Sequence, residues 1–195
     1  MPLNNRNRQN IYLLLVAVAI LAVIFFNRDL YERSLPVFHK VSDFTLVDSE
    51  NHPFQFKNLR GKVVIADFIF TTCQGVCPMM TKNMKAIYEQ FRNKKDIIFL
   101  SITVNPEYDT PAILSKYVAR LNINPNQWIF LTGPRENIQE IAVNQFKIGS
   151  VEQPVFHSAY FVLVDKNGVV RGYYEGSEDA MIQKLVNDTK KLSKS

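Results

Sequence analysis

Residues 62–78 read KVVIADFIFTTCQGVCP, and this stretch decides the fold. Its first nine residues, 62–70, are almost continuously apolar and rich in β-branched side chains. Such a run is typical of a strand buried on both faces of a sheet. A loop with two cysteines follows, and Pro78 suits the first turn of a helix. The sequence therefore predicts a buried strand, a cysteine-containing loop and a helix in direct succession.

The rest of the chain after residue 42 alternates between predicted strands and helices. We expect strands around a turn at 48–53, a helix at 78–92, a buried strand at 96–104, a helix at 110–121, a strand at 128–131, a helix at 134–146, a hairpin of 159–165 with 169–174, and an amphipathic helix from 177. This order indicates an α/β domain with a mixed sheet and flanking helices. A cysteine motif after the first long strand, with a hairpin closing the sheet, is the arrangement of a thioredoxin-like domain.

A second apolar run lies near the N-terminus, where residues 11–26 read IYLLLVAVAILAVIFF. As a helix it is about 24 Å long at roughly 1.5 Å per residue, slightly short of a hydrocarbon core about 30 Å thick. Polar neighbours at the interface can extend it. The segment that follows, FFNRDLYERS, offers no small-residue cleavage site and no lipoprotein cysteine. We therefore expect an uncleaved transmembrane anchor at 11–27, and the lack of a polar face argues against a buried helix of a soluble domain.

The charges around this run predict the topology of the chain. Arg6 and Arg8 precede it, so the positive-inside tendency leaves residues 1–10 in the cytoplasm. A linker at 28–42, a domain at 43–190 and a frayed tail at 191–195 then lie beyond the membrane, which in a bacterium is the periplasmic face of the inner membrane. In that oxidising compartment a nearby cysteine pair persists as a disulfide unless something reduces it or a metal occupies it.

Composition excludes several classes of protein. The chain has 195 residues, of which 47% are hydrophobic and 21% charged, a globular mix that rules out a mainly disordered chain. Two cysteines exclude a disulfide-dense scaffold and a four-cysteine zinc module. The net charge of +5 is too mild to suggest a nucleic-acid surface, which would need a clustered basic face, so we expect no nucleic-acid partner.

The cysteine motif itself indicates reactive or metal-binding thiols. Cys73 and Cys77 are four residues apart, a spacing that places both sulfurs on one side of a helical turn. Gly75 allows a tight loop, and the helix start at Cys77 favours a thiolate there. Two structural cysteines would be the alternative, but the pair occupies a turn rather than an apolar face.

One of the three histidines has a position that suits a metal site. We expect His39 and His52 to be surface residues. His157, in PVFHSAYF, directly precedes the first strand of the closing hairpin, and in a thioredoxin-like sheet that strand start faces the cysteine loop. Two thiolates and one imidazole are an incomplete set for structural zinc. They suit three-coordinate Cu(I), or Cu(II) with an extra weak ligand, and an open position favours transfer of the metal.

The chain resembles the SCO/SenC family of membrane-anchored copper proteins that assist cytochrome c oxidase assembly. The matching stretches are FTTCQGVCPMM at 70–80, SITVNPEYDT at 101–110, FLTG at 130–133 and HSAYFVLVDKNG at 157–168. The resemblance implies a thioredoxin-like fold, copper held by Cys73, Cys77 and His157, and delivery to the dinuclear copper site of oxidase subunit II. One departure is Asn105, where the family usually has aspartate, whereas Asp109 matches.

A second function uses the same two cysteines. A membrane-anchored thiol-disulfide oxidoreductase would use Cys73 and Cys77 as a redox pair, for instance to reduce the cysteines of a cuproprotein. Such enzymes usually carry CxxC and need no histidine, so CxxxC with His157 favours copper. A thiol peroxidase would need an activating arginine beside Cys73, and none is evident. We therefore expect subunit II or another cuproprotein as partner, together with a thiol reductant.

Overall fold

The computed structural model describes residues 14–23, 35–149 and 159–194. The chain divides into two compact units, Met1–Leu35 and Pro36–Ser195. In the first unit residues 14–23 are helical (α1), and their large apolar side chains are exposed. Within the three described ranges, no helix has both the length and the apolar character needed to cross a membrane. The anchor expected at 11–27 lies partly outside these ranges, and residues 1–10 lie wholly outside them.

The second unit is built on a seven-stranded mixed sheet, counted over the described residues, with the order β2-β1-β5-β4-β3-β6-β7. The strands are β1 Thr45–Asp48, β2 Pro53–Gln55, β3 Val63–Ile69, β4 Ile97–Thr103, β5 Trp128–Thr132, β6 Tyr160–Val164 and β7 Val170–Glu175. The two apolar runs of the sequence form β3 and β4, and every residue of both strands is buried. β3 and β4 pair in parallel, as do β4 and β5, whereas the outer strands pair antiparallel. The predicted mixed α/β sheet is confirmed.

Helices cover both faces of this sheet. They are a 3-10 helix at Phe56–Leu59, α2 Cys77–Phe91, α3 Pro111–Leu121, α4 Arg135–Glu140, a π-helix at Ile141–Gln145 and α5 Asp179–Lys194. Ring contacts place α2 and α3 on the face that carries Phe99, Trp128 and Phe130. On the opposite face, alternate residues of β3 and β4 cluster with Ile138 and Phe146.

Two segments near the ends of this unit make hydrogen bonds with distant parts of the chain. The described part of the linker, residues 35–42, pairs with the start of β7: Phe38 N–H donates to the Val170 carbonyl at 3.0 Å, and Val170 N–H donates to the His39 carbonyl at 2.8 Å. At the other end α5 continues to Lys194, and the Ser193 hydroxyl donates to Asp96 Oδ2 at 2.6 Å. Residues 191–194 are therefore helical, unlike the frayed tail expected there.

The helix expected at 134–146 is divided into α4 and the π-helix. The π-turn closes with the Phe146 N–H donating to the Ile141 carbonyl at 2.9 Å. It directs Phe146 into the core, where its ring contacts Phe44, Phe56 and Phe68 at centroid distances of 6.4, 6.2 and 5.5 Å. A regular helical periodicity could not reveal this extra residue in the turn.

Candidate functional site

The cysteine loop, residues 70–77, connects the carboxyl end of β3 to the first residue of α2. It begins with a turn in which the Cys73 N–H donates to the Phe70 carbonyl at 3.2 Å. Cys77 is the first helical residue and Pro78 the second, as proline's fixed φ and missing N–H favour. Both cysteines are free thiols, with 9% and 7% of their surface exposed. The fold thus places two similarly accessible thiols at one edge of the sheet.

The two thiols differ in acidity. Burial alone would raise the pKa of Cys73, but hydrogen bonds from the Cys77 thiol and from the backbone N–H groups of Cys77, Gly75 and Val76 lower it overall. Burial raises the pKa of Cys77, and the hydrogen bond to Cys73 and the nearby charges of Cys73 and Asp67 act in the same direction. These opposite directions make Cys73 the more acidic of the two thiols.

This assignment reverses the expectation that the helix start favours a thiolate at Cys77. The backbone N–H groups that bond the sulfur of Cys73 are those of Gly75 and Val76 in the loop and of Cys77, the first residue of α2. Gly75, expected to allow a tight loop, does so without a positive φ. A Cβ built on Gly75 would meet only Cys73 Sγ, at an ordinary contact distance of 3.9 Å.

A buried carboxylate lies on the same face of the sheet as α2. Asp67, in β3, is 1% exposed, and its Oδ1 accepts a hydrogen bond of 2.6 Å from Ser101, which in turn accepts one from Trp128 Nε1. Its Oδ2 has no hydrogen-bond partner among the described residues. Burial raises the pKa of Asp67 to about 7, against the lowering effect of Ser101. The sequence analysis missed this residue, although an aspartate inside an apolar strand is a recognisable signal of function.

A second buried carboxylate contacts the cysteine loop directly. Asp109 is fully buried in the segment between β4 and α3, and its Oδ2 accepts the Thr71 N–H at 3.1 Å. Its Oδ1 accepts a hydrogen bond from the Thr71 hydroxyl, and Oδ2 accepts another from the Thr103 hydroxyl. The sequence analysis noted Asp109 only as a family match and assigned it no role.

Asn105, which stands where the family usually has aspartate, lies in the same turn as Asp109. Its N–H donates to the Thr103 hydroxyl at 3.0 Å, and its carbonyl accepts the N–H groups of Tyr108 and Asp109 at 3.1 and 2.9 Å. These contacts use the backbone alone, so the turn forms without an acidic side chain at 105.

The expected third ligand, His157, lies in residues 150–158, outside the described residues. Of the other histidines, His52 is exposed, as expected, and His39 is half-buried with its Nε2 donating to the Gln145 carbonyl at 2.8 Å. Across the described ranges, no cluster of three or more histidine, cysteine or acidic residues could hold a metal ion. The described part of the site therefore offers two sulfur ligands.

The strand that follows residue 158 begins at the end of β3 from which the cysteine loop leaves, and it runs away from that loop. β6 pairs antiparallel with β3 in the register Ala66–Val162, so its first residue, Tyr160, lies at the carboxyl end of β3. The carbonyl of Ala159 accepts the Gly176 N–H at 2.6 Å. Gly176 in turn packs against α2, because a Cβ there would lie 2.3 Å from Met80 Sδ. Ala159 is therefore hydrogen-bonded to a residue, Gly176, that packs against α2.

The fold and the site define a thioredoxin-like domain with a dithiol at the carboxyl edge of its central strands. The chain matches the SCO1/SenC family over residues 33–194, and it belongs to this family. The resemblance inferred from the sequence motifs is confirmed.

Three relatives illustrate this membership. The SCO1 protein homolog of Bacillus subtilis is 33% identical over 165 residues, which are 81% of this chain and 85% of that protein. A putative copper-binding protein of Stutzerimonas stutzeri is 26% identical over 185 residues, 89% of each chain. The solved structure of BsSco, a member of the Sco family of cytochrome c oxidase assembly proteins with a disulfide switch, has a TM-score of 0.72, 32% identity, and coverage of 83% of this chain and 96% of its own.

Proposed function

We propose that this protein is a copper metallochaperone that binds copper through Cys73 and Cys77 and delivers it to the dinuclear copper site of cytochrome c oxidase subunit II. The observation that carries the proposal is the position of the chain's two cysteines, both free thiols, at the two ends of one short loop segment between β3 and the start of α2. Thiolates are soft ligands that select Cu(I). Membership of the SCO1/SenC family and the copper-binding description of the Stutzerimonas relative support the same conclusion.

His157 supplies the third ligand in this proposal. The support comes from the two described residues that follow the His157 segment. Tyr160 lies at the carboxyl end of β3, and the Ala159 carbonyl accepts a hydrogen bond from Gly176, which packs against α2. His157 is two residues from Ala159 in the chain. An imidazole completes a three-coordinate Cu(I) site and adds a nitrogen ligand for Cu(II), while the remaining position stays open to the acceptor's ligands.

A thiol-disulfide oxidoreductase is the second candidate, and the unequal acidity of the two thiols favours it. A low-pKa Cys73 beside a high-pKa Cys77 is the arrangement of an attacking thiol and a resolving thiol. The disulfide switch described for BsSco fits the same chemistry. In either function a thiol reductant must first reduce the Cys73–Cys77 pair. Copper binding requires both thiolates, and disulfide exchange requires an attacking thiolate.

The apolar run at 11–26 leads us to include a membrane anchor in the proposal. A single-pass helix at 11–27 with Arg6 and Arg8 in the cytoplasm would hold residues 36–195 at the periplasmic face of a bacterial inner membrane. There the domain would meet an oxidase subunit during its assembly.

The experiment that tests this function is a copper titration of the reduced full-length chain in detergent, for wild type and His157→Ala. We expect wild type to bind one equivalent of either ion. In the variant we expect Cu(II) affinity to fall at least about tenfold and Cu(I) affinity to fall less, because two thiolates alone can hold Cu(I) in a linear geometry.

His52→Ala is the matched control, since His52 is exposed and lies in the turn between β1 and β2. Equal retention of both ions in His157→Ala would remove His157 from the site. A reduced wild-type chain that binds no copper but exchanges disulfides would favour the oxidoreductase.

A further inference from the structure

Asp109 has contacts that a purely structural carboxylate at this position would not need. It directly precedes Thr110, the N-cap of α3, where a carboxylate ordinarily stabilises the first turn of the helix. No side chain caps α3. Instead the three hydrogen bonds that the Asp109 side chain accepts from described residues come from Thr71 and Thr103. The carboxylate is directed away from its own helix and toward the cysteine loop.

These bonds join three segments of the chain. Thr103 is the last residue of β4, Asn105 and Asp109 close the following turn, and Thr71 lies inside the cysteine loop. Thr71 is bound at both its N–H and its hydroxyl, so its position and its orientation are both fixed. It is also the second residue of the turn that closes between Phe70 and Cys73.

We propose that Asp109 is a positioning residue that clamps Thr71 and thereby sets the geometry of the Cys73–Cys77 pair. Two hydrogen bonds to one buried carboxylate, both of whose oxygens accept, restrain Thr71 in addition to the loop's own turn. The sulfur of Cys73 then lies where the Cys77 thiol and the amides of Gly75 and Val76 reach it. The effect of Asp109 on copper binding rests on the copper function proposed above. Its effect on the geometry of the two thiols does not depend on that function.

The test uses full-length reduced protein in detergent and three substitutions. Asp109→Asn keeps the shape of the side chain but loses an acceptor, Thr71→Val loses only the hydroxyl, and Thr71→Ser keeps both donors. Asp165→Asn is the control: Asp165 is also a buried carboxylate that orders a turn, but in the β6–β7 connection, where its Oδ1 accepts the N–H groups of Asn167 and Val169 and its Oδ2 pairs with Arg171.

Two readouts are measured for each variant. The first is copper affinity, together with the Cu(II)–thiolate charge-transfer spectrum. The second is the equilibrium with glutathione, in which Cys73 and Cys77 form a disulfide while one glutathione disulfide takes up their two electrons and two protons and becomes two thiols.

We expect Asp109→Asn to lower copper affinity about tenfold or more, as loss of an outer-shell partner does, and to shift the thiolate bands. We expect the equilibrium constant for disulfide formation with glutathione to fall about tenfold in Asp109→Asn, because the two thiols are no longer held close together. Thr71→Val reproduces part of both changes, Thr71→Ser stays at the wild-type values, and Asp165→Asn leaves both readouts unchanged.

The proposal is overturned if Asp109→Asn and Thr71→Val keep wild-type spectra and constants, or if Asp165→Asn changes them equally. Should Asp109→Asn fail to fold, the comparison of Thr71→Val with Thr71→Ser decides alone. If wild type binds no copper, the metallochaperone function fails, while the glutathione equilibrium still tests the clamp.

Discussion

Replacement of either Cys73 or Cys77 by serine is expected to lower the copper affinity of the reduced chain by a factor on the order of 10³. Each substitution removes one of two soft ligands and leaves a hydroxyl that does not ionise at neutral pH. One thiolate with one imidazole remains, which is a poor set for holding Cu(I) against competing thiols. Competition with a chromogenic Cu(I) chelator measures the loss.

Two controls separate this effect from other causes. Met79→Leu removes the thioether that lies nearest to Cys77 in sequence and is exposed, so it tests whether copper binds there instead. The urea midpoint of each cysteine variant shows whether the fold survives. If a folded single-serine variant retains tight stoichiometric copper, the assignment of the ligands is wrong.

The second large effect concerns alkylation of the metal-free, reduced protein. At pH 7 we expect iodoacetamide to modify Cys73 about 10²-fold faster than Cys77, because the thiolate reacts and the two pKa values are shifted in opposite directions. With a lowered pKa, Cys73 gains reactivity at a lower pH than an ordinary thiol does, whereas Cys77 gains it only at a higher pH.

Tandem mass spectrometry of the tryptic peptide 63–82, which contains both cysteines, measures the two rates. Cys77→Ala removes the thiol that donates to Cys73, so we expect Cys73 to react more slowly at pH 7 in that variant. Cys77→Ser keeps a donor and is expected to restore most of the rate. Equal rates for the two wild-type cysteines across pH 6–9 would contradict the assigned acidities.

The parts of the fold that local patterns determine were predictable from the sequence. The apolar runs that form β3 and β4 and the Thr110-Pro111 start of α3 lie where expected. The position of β1 beside β5 was not predictable, because that pairing depends on contacts between distant segments. The linker's hydrogen bonds to Val170 have the same long-range origin.

The chemistry of the site was predictable in kind but not in detail. Spacing alone predicted that Cys73 and Cys77 act together, and the structure places both as free thiols between β3 and the start of α2. Which sulfur is the more acidic depends on where a few amides point, and no periodicity encodes that direction. The hydrogen bonds of Asp109 to Thr71 cross 38 residues of sequence, so only the folded chain reveals them.

X-ray absorption spectroscopy at the copper edge, on the full-length chain loaded with one equivalent of Cu(I), tests the central claim most directly. We expect a first shell of two sulfurs and one imidazole nitrogen, with the nitrogen lost in His157→Ala. A first shell with fewer than two sulfurs would contradict the account, since copper would then be bound away from the Cys73–Cys77 pair.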